Sequence, residues 1–147
     1  MKKVRLVTVG KCREAYFTDA LAEYAKRLSR YADFETVEYK ESRTEDVEEE
    51  ADAILRACRG YVVLFDLTGK QIASEELAAL LDGAYGRADT VSFVIGSSRG
   101  VSERVRERAD ARIAFGRATF PHQLFRVMAA EQIYRAFTVL NNVPYHK

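Results

Sequence analysis

Several stretches of this chain carry side chains able to do chemistry. Gly96-Ser97-Ser98-Arg99-Gly100 fits the pattern G-x-S-x-G, in which a serine on a tight strand-to-helix turn acts as a nucleophile. Asp110, followed by His122 or His146, would complete the order Ser, Asp, His of a hydrolase triad. Asp110 precedes a strand, however, which is the wrong end for a triad acid, and the chain is short for a hydrolase sheet and lid. His122 and Arg126 are one helical turn apart, so both can face one opening. Tyr145-His146-Lys147 joins a stacking ring, a titratable imidazole and a cation, a trio suited to stacking on and pairing with an RNA base. Glu131 and Arg135 have the favourable i,i+4 order of a helical ion pair.

A further feature is a set of three glycine-bearing turns, at 66–70, 96–100 and 115–119. A glycine lets the backbone approach a ligand closely and offer bare N–H and C=O groups. The spacings G-x-G-x-x-G and G-x-x-x-x-G-K-[ST] are both absent, which argues against dinucleotide and nucleotide-triphosphate sites.

These turns need elements to position them. β-branched runs at 4–9 and 34–39, the apolar run 61–66, and runs at 90–95 and 111–115 read as strands. Helical spacing covers 14–30, 45–57, 74–84 and 102–109, with Ser74 and Ser102 as N-caps. The run Glu48-Glu49-Glu50 reads as a solvated helix face. A last helix opens near Pro121, runs to Leu140, and is stopped by Asn141-Asn142 and Pro144. Its apolar residues widen from Phe125, Ala129, Ile133, Ala136, Phe137 and Leu140 to Leu124, Val127, Met128 and Tyr134. A helix so broadly apolar is either a central core helix or one buried on two sides, the second side being another subunit. Strands alternating with helices predict an α/β fold: a parallel sheet with helices on both faces, in one domain over 1–147. Ligands in such sheets bind beyond the carboxyl ends of the strands, where the three turns fall.

The totals set bounds on this reading. With 23 basic and 22 acidic residues the net charge is +1, so any nucleic-acid binding must come from local patches. Cys12 and Cys58 lack metal or redox spacing and read as free thiols; with two histidines, no metal site is expected. Neither a signal peptide nor a membrane-length apolar run is present, so a cytoplasmic protein without membrane contact is expected.

Thr119-Phe120-Pro121-His122-Gln123-Leu124-Phe125-Arg126-Val127, then Glu131-Gln132-Ile133-Tyr134-Arg135-Ala136-Phe137, then Pro144-Tyr145-His146-Lys147 closely resemble the ribosomal RNA large subunit methyltransferase H family. Leu6-Val7-Thr8-Val9-Gly10-Lys11, Asp66-Leu67-Thr68-Gly69-Lys70 and Phe93-Val94-Ile95-Gly96 are similar as well, so the likeness spans the chain. The resemblance implies the SPOUT fold with a C-terminal trefoil knot, a homodimer, S-adenosyl-L-methionine as cofactor, and 23S ribosomal RNA in the ribosome as partner. The atom methylated would be N3 of a pseudouridine. Carried over by residue, it implies a cofactor pocket of Phe65, Gly96, Phe115, Gly116, Arg117, Ala118, Thr119 and Phe120. His146, on the tail of a neighbouring subunit, would orient the base or take its proton, Tyr145 would stack, and Arg126, Arg135 and Lys147 would hold phosphates. Ser97 stands where the family usually has a second glycine, and 114–118 is poorer in Leu and Ser than usual. Two rivals remain: a serine hydrolase using Ser98, and a non-catalytic ribosome- or RNA-binding module.

Overall fold

The structure is a computed structural model that describes residues 1–44 and 46–147. In chain order the elements are β1 (Lys3–Val9), α1 (Ala15–Leu28), β2 (Asp33–Tyr39), α2 (Val47–Ala57), β3 (Tyr61–Gln71), α3 (Ser74–Tyr85), β4 (Thr90–Ile95), α4 (Glu103–Arg108), β5 (Ala111–Ala114) and α5 (His122–Leu140). The strands form one sheet in the order β2-β1-β4-β3-β5, every pair parallel. This is the α/β architecture that the alternating pattern predicts.

Apolar side chains alternate between the two faces of the central strands, so each face carries its own core. Leu6, Val63 and Phe93 point toward α1, α3 and α5, where they meet Leu28, Leu77, Ala129, Ile133 and Phe137. Val7, Val62, Leu64 and Val94 point the other way, toward Ala51 and Ile54 of α2 and Val105 of α4. Helix α5 packs against both α1 and α3. Its small Ala129, Ala130 and Ala136 are fully buried, and Leu124, Val127, Met128 and Tyr134 stay half-buried.

Several boundaries differ from the sequence reading. β3 does not stop at Asp66: it pairs with β5 again at Lys70 and Gln71, and the register shifts between Phe65 and Lys70. Residues 66–69 therefore bulge within a strand, held by the Asp66 carboxylate, which accepts from the Thr68 amide (3.0 Å) and hydroxyl (2.9 Å). An Asx turn followed by glycine looks like a strand end until β5 offers partners beyond it. The cap of α3 is Ala73, not Ser74; Glu76 Oε1 accepts its amide at 2.9 Å, which frees Ser74 Oγ to donate to Gln132 Oε1 on α5 at 2.7 Å. Pro121 is the residue before the first turn of α5, and β5 ends at Ala114. Asn142 takes the left-handed turn that ends α5, with φ 57°.

The acidic run is not a uniform solvated face. Glu50 is buried and accepts the Ser42 amide at 2.9 Å, and Glu48 ties α2 to α4 through Ser102 Oγ (2.8 Å) and Arg104 Nε (3.0 Å). The expected start of that helix, at Glu45, lies outside the described residues.

Candidate functional site

The carboxyl ends of β3, β4 and β5 surround a cavity of about 730 Å³, within the range of small-molecule sites. Its wall comes from residues 65–68 of the β3 bulge, 95–101 after β4, and 113–122 around the end of β5 and the start of α5. The three glycine turns thus meet in one place. Phe65, Gly96, Phe115, Gly116, Ala118, Thr119 and Phe120 all line the cavity, whereas Arg117 is exposed and outside the lining.

The floor is aromatic. Phe65 packs edge-on against Phe115 (5.2 Å between ring centres) and Phe125 (5.1 Å), with Phe93 behind it at 5.9 Å. The opposite wall is bare backbone. A Cβ on Gly96 would lie 2.4 Å from Val101 Cγ1 and 2.8 Å from the Gly100 carbonyl oxygen, so only glycine allows this turn to close. Neither Gly96 nor Ser97 has a left-handed φ; Ser97 is buried and its carbonyl accepts the Gly100 amide at 2.8 Å. The serine therefore sits where glycine's freedom is not needed, and the turn survives the change.

Polar groups converge at the rim. Burial alone would raise the Asp66 carboxyl, but its hydrogen bonds from Thr68 and Arg106 overcome this and hold it below the ordinary value. Arg106 Nε lies 3.1 Å from Asp66 Oδ2. Burial, with help from the Arg126 charge, pulls the His122 imidazole below its ordinary value; His122 Nδ1 is buried without a partner. The 66–70 turn was placed at the ligand edge from the sequence, but neither the Asp66 side chain nor Arg106 was singled out, because nothing on a short charged helix marks that Arg106 reaches the Asp66 carboxylate. Phe125 was read as core, a role it combines with lining the cavity.

The remaining candidates lie elsewhere. Arg126 is 1% exposed; Nη1 binds Glu38 Oε2 at 2.6 Å, and Nη2 donates to the carbonyls of Val9 and Gly10. This corrects the expectation that it shares an opening with His122 and holds phosphate: its guanidinium is turned into the protein. Tyr145 and His146 do not line the cavity of their own chain. They fold back onto α5 and α3, where Tyr145 Oη donates to Glu131 Oε2 at 2.6 Å and His146 meets Arg135 and Glu75. Burial, reinforced by the Glu131 carboxylate, pushes the Tyr145 phenol above its ordinary value.

The hydrolase geometry is not formed. Ser98 is exposed and has no hydrogen bond to His122, His146 or Asp110. Asp110 Oδ2 accepts the Val62 amide at 2.8 Å, at the amino end of β3 and so across the sheet from Ser98.

A parallel sheet with a glycine-walled cavity beyond its strand ends defines a class of small-molecule-binding α/β proteins, and comparison with known proteins narrows it. The family described as "Predicted SPOUT methyltransferase" matches residues 2–146. A probable methylase family protein from Haemophilus influenzae Rd KW20 has a similar fold, with a TM-score of 0.58 at 12% identity over 99% of this chain and 71% of that one. Proteins named ribosomal RNA large subunit methyltransferase H are similar over nearly their whole length. The one from Limosilactobacillus reuteri is 44% identical over 98% of this chain and 99% of its own. Those from Caldicellulosiruptor saccharolyticus (98% and 99% covered) and Streptococcus pneumoniae (99% and 99%) are each 42% identical. The chain belongs to the SPOUT methyltransferases and, among them, to the ribosomal RNA large subunit methyltransferase H family.

No helix among the described residues is long and apolar enough to cross a membrane.

Proposed function

We propose that this protein is a ribosomal RNA methyltransferase that uses S-adenosyl-L-methionine to methylate N3 of a pseudouridine in the 23S RNA of the large subunit. The observation that carries the reading is the cavity, because a methyl donor needs a pocket and the family's glycine turns converge on one here. The residues present fit the donor. Phe65, Phe115 and Phe125 offer rings to a flat base, and the backbone at 96–100 and 115–119 offers donors and acceptors, while the Asp66 carboxylate is taken up by Arg106 and Arg112. Phe65, Gly96, Phe115, Gly116, Ala118, Thr119 and Phe120 would hold it.

When bound, the donor supplies an electrophilic methyl on sulfur. What the chain contributes is alignment and exclusion of water. The imide proton of N3 must also leave, and for this we assign His146, which orients the base or accepts the proton. Tyr145 stacks and Lys147 holds phosphate, whereas the Arg135 guanidinium, expected to hold phosphate as well, is engaged by Glu131 and His146. The tail is docked outside its own chain's cavity, so this assignment requires a second copy whose tail reaches in. A homodimer is supported by the half-open apolar residues Tyr24, Phe115, Val127 and Met128, which border a second cleft of about 450 Å³ beside α5. The route from β5, at the sheet edge, back to α5 between α1 and α3 supports the family's trefoil knot. A soluble, cytoplasmic setting follows from a ribosomal substrate.

The test is calorimetric titration with S-adenosyl-L-methionine, followed by methyl transfer to ribosomes lacking the modification. Binding with a defined stoichiometry per dimer, and transfer that falls in His146→Ala, is the expected result. No binding at millimolar donor would move the assignment to a non-catalytic RNA-binding module.

A further inference from the structure

The C-terminal tail is fastened to its own chain by two carboxylates that the function described above does not use. Glu131 accepts four hydrogen bonds, two on each oxygen. Oε1 takes Gln132 Nε2 (2.9 Å) and Arg135 Nε (3.3 Å), and Oε2 takes Arg135 Nη2 (2.6 Å) and Tyr145 Oη (2.6 Å). The carboxylate is thus saturated, and it fixes the Arg135 guanidinium in a plane from both Nε and Nη2. That plane lies over the Tyr145 ring, 4.7 Å from its centre, while Tyr134 meets the same ring edge-on at 4.8 Å.

The same guanidinium determines the state of His146. Arg135 Nη1 lies 3.1 Å from His146 Nδ1. A guanidinium only donates, so Nδ1 must present its lone pair and the imidazole proton must sit on Nε2. That proton is donated to Glu75 Oε1 at 2.5 Å, on α3. The imidazole is therefore gripped at both nitrogens in one tautomer, by Arg135 on one side and Glu75 on the other; in this docked form it orients the base, and it takes the N3 proton only once Arg135 Nη1 gives up the Nδ1 lone pair.

We propose that Glu131 and Glu75 are positioning residues: Glu131, through Arg135, and Glu75 together hold Tyr145 and His146 as one rigid unit with His146 in the Nε2–H tautomer. The consequence for methyl transfer rests on the function proposed above. A tail pinned to the chain that carries it can be presented to a second copy's cavity without first being ordered, so the ordering cost is met on folding rather than at each encounter.

The test reads the tautomer directly. The full-length protein, labelled with ¹⁵N at histidine, is studied by NMR above neutral pH. Wild type is expected to show one protonated and one bare ring nitrogen, the proton on Nε2. In Glu131→Gln and Tyr145→Phe the two His146 signals should move toward the averaged pair of a freely exchanging imidazole, and Glu75→Gln should weaken the Nε2–H preference. Methyl transfer to ribosomes should fall about 10²-fold in kcat/KM for Glu131→Gln, with donor affinity within about twofold of wild type because Glu131 does not line the cavity. An averaged His146 in wild type, or an unchanged signature in Glu131→Gln and Tyr145→Phe, would overturn the proposal. If wild type shows the fixed tautomer yet transfers no methyl group, the positioning stands and the assigned reaction fails.

Discussion

Arg126 Nη1 and Glu38 Oε2 meet at 2.6 Å, joining α5 to the end of β2 although the residues are 88 positions apart. The guanidinium also caps the carbonyls of Val9 and Gly10, so one buried cation ties the carboxyl ends of two strands to the helix that closes the cavity. Removing one member of a buried pair costs about 3–5 kcal/mol. Arg126→Ala should fall toward the lower end, because Glu38 is partly exposed and water can recover it. Chemical denaturation checks this, and Glu38→Gln should cost less than Arg126→Ala, since it leaves the two carbonyl bonds in place.

Gly96→Ala and Gly116→Ala should separate steric closure from backbone strain. At Gly96 the new methyl meets Val101 and the Gly100 backbone, so the 96–100 turn must open. Donor affinity should drop at least about tenfold, the order of effect expected from 1.4 kcal/mol or more of displaced contacts. At Gly116 a Cβ meets nothing within 4 Å, but φ is 135°, a region that disfavours side chains. There the expected effect is a loss of about 1–3 kcal/mol in stability, with a smaller loss in binding. Calorimetry and thermal unfolding on both variants decide it.

His122 should titrate below the ordinary histidine value of about 6.5, because burial and the Arg126 charge disfavour its cation. The sign follows from proton counts. Between the folded and the unfolded value the unfolded chain binds more protons, so stability rises with pH there. The contribution is fully present above about pH 6.5 and is lost as pH falls toward the lower folded value. NMR titration should give a midpoint under 6.5, and His122→Gln should flatten the acid side of the stability curve. A midpoint at or above the ordinary value would contradict the burial argument.

Ser98 should fail to react with a fluorophosphonate probe under conditions that label a serine hydrolase. It is exposed and unpaired, so nothing lowers the barrier to its alkoxide. Labelling at Ser98, found by mass spectrometry, would restore the hydrolase reading.

How much of this was legible in the sequence depends on the range of the interaction. Strand and helix identity came from periodicity, while the end of β3, the cap of α3 and one face of α2 departed from it for reasons beyond the local residues. β3 continued past an Asx turn because β5 paired with Lys70 and Gln71. Ser74 gave up its cap because Gln132, 58 residues away, offered a partner. Glu50 left the solvated face because the Ser42 amide needed an acceptor.

The sequence by itself determined that three glycine-bearing segments gather at one edge of a parallel sheet, because parallel pairing brings such segments to the same side; two follow strand ends, the third is the β3 bulge, and the cavity at 65–68, 95–101 and 113–122 is the outcome. It also determined the family, through long motifs spread over the whole chain. Only the tertiary structure decided which charged residues face that cavity. Arg126 and His122 share a helix turn, yet one is buried against Glu38 and the other borders the site. The direction of an arginine is set by which distant carboxylate and carbonyls lie within reach once the sheet has formed, and helical spacing carries no information about them. The same holds for the tail: Tyr145-His146 reads as a free chemical end, and Glu131, Arg135 and Glu75 fasten it only after α3 and α5 are packed together.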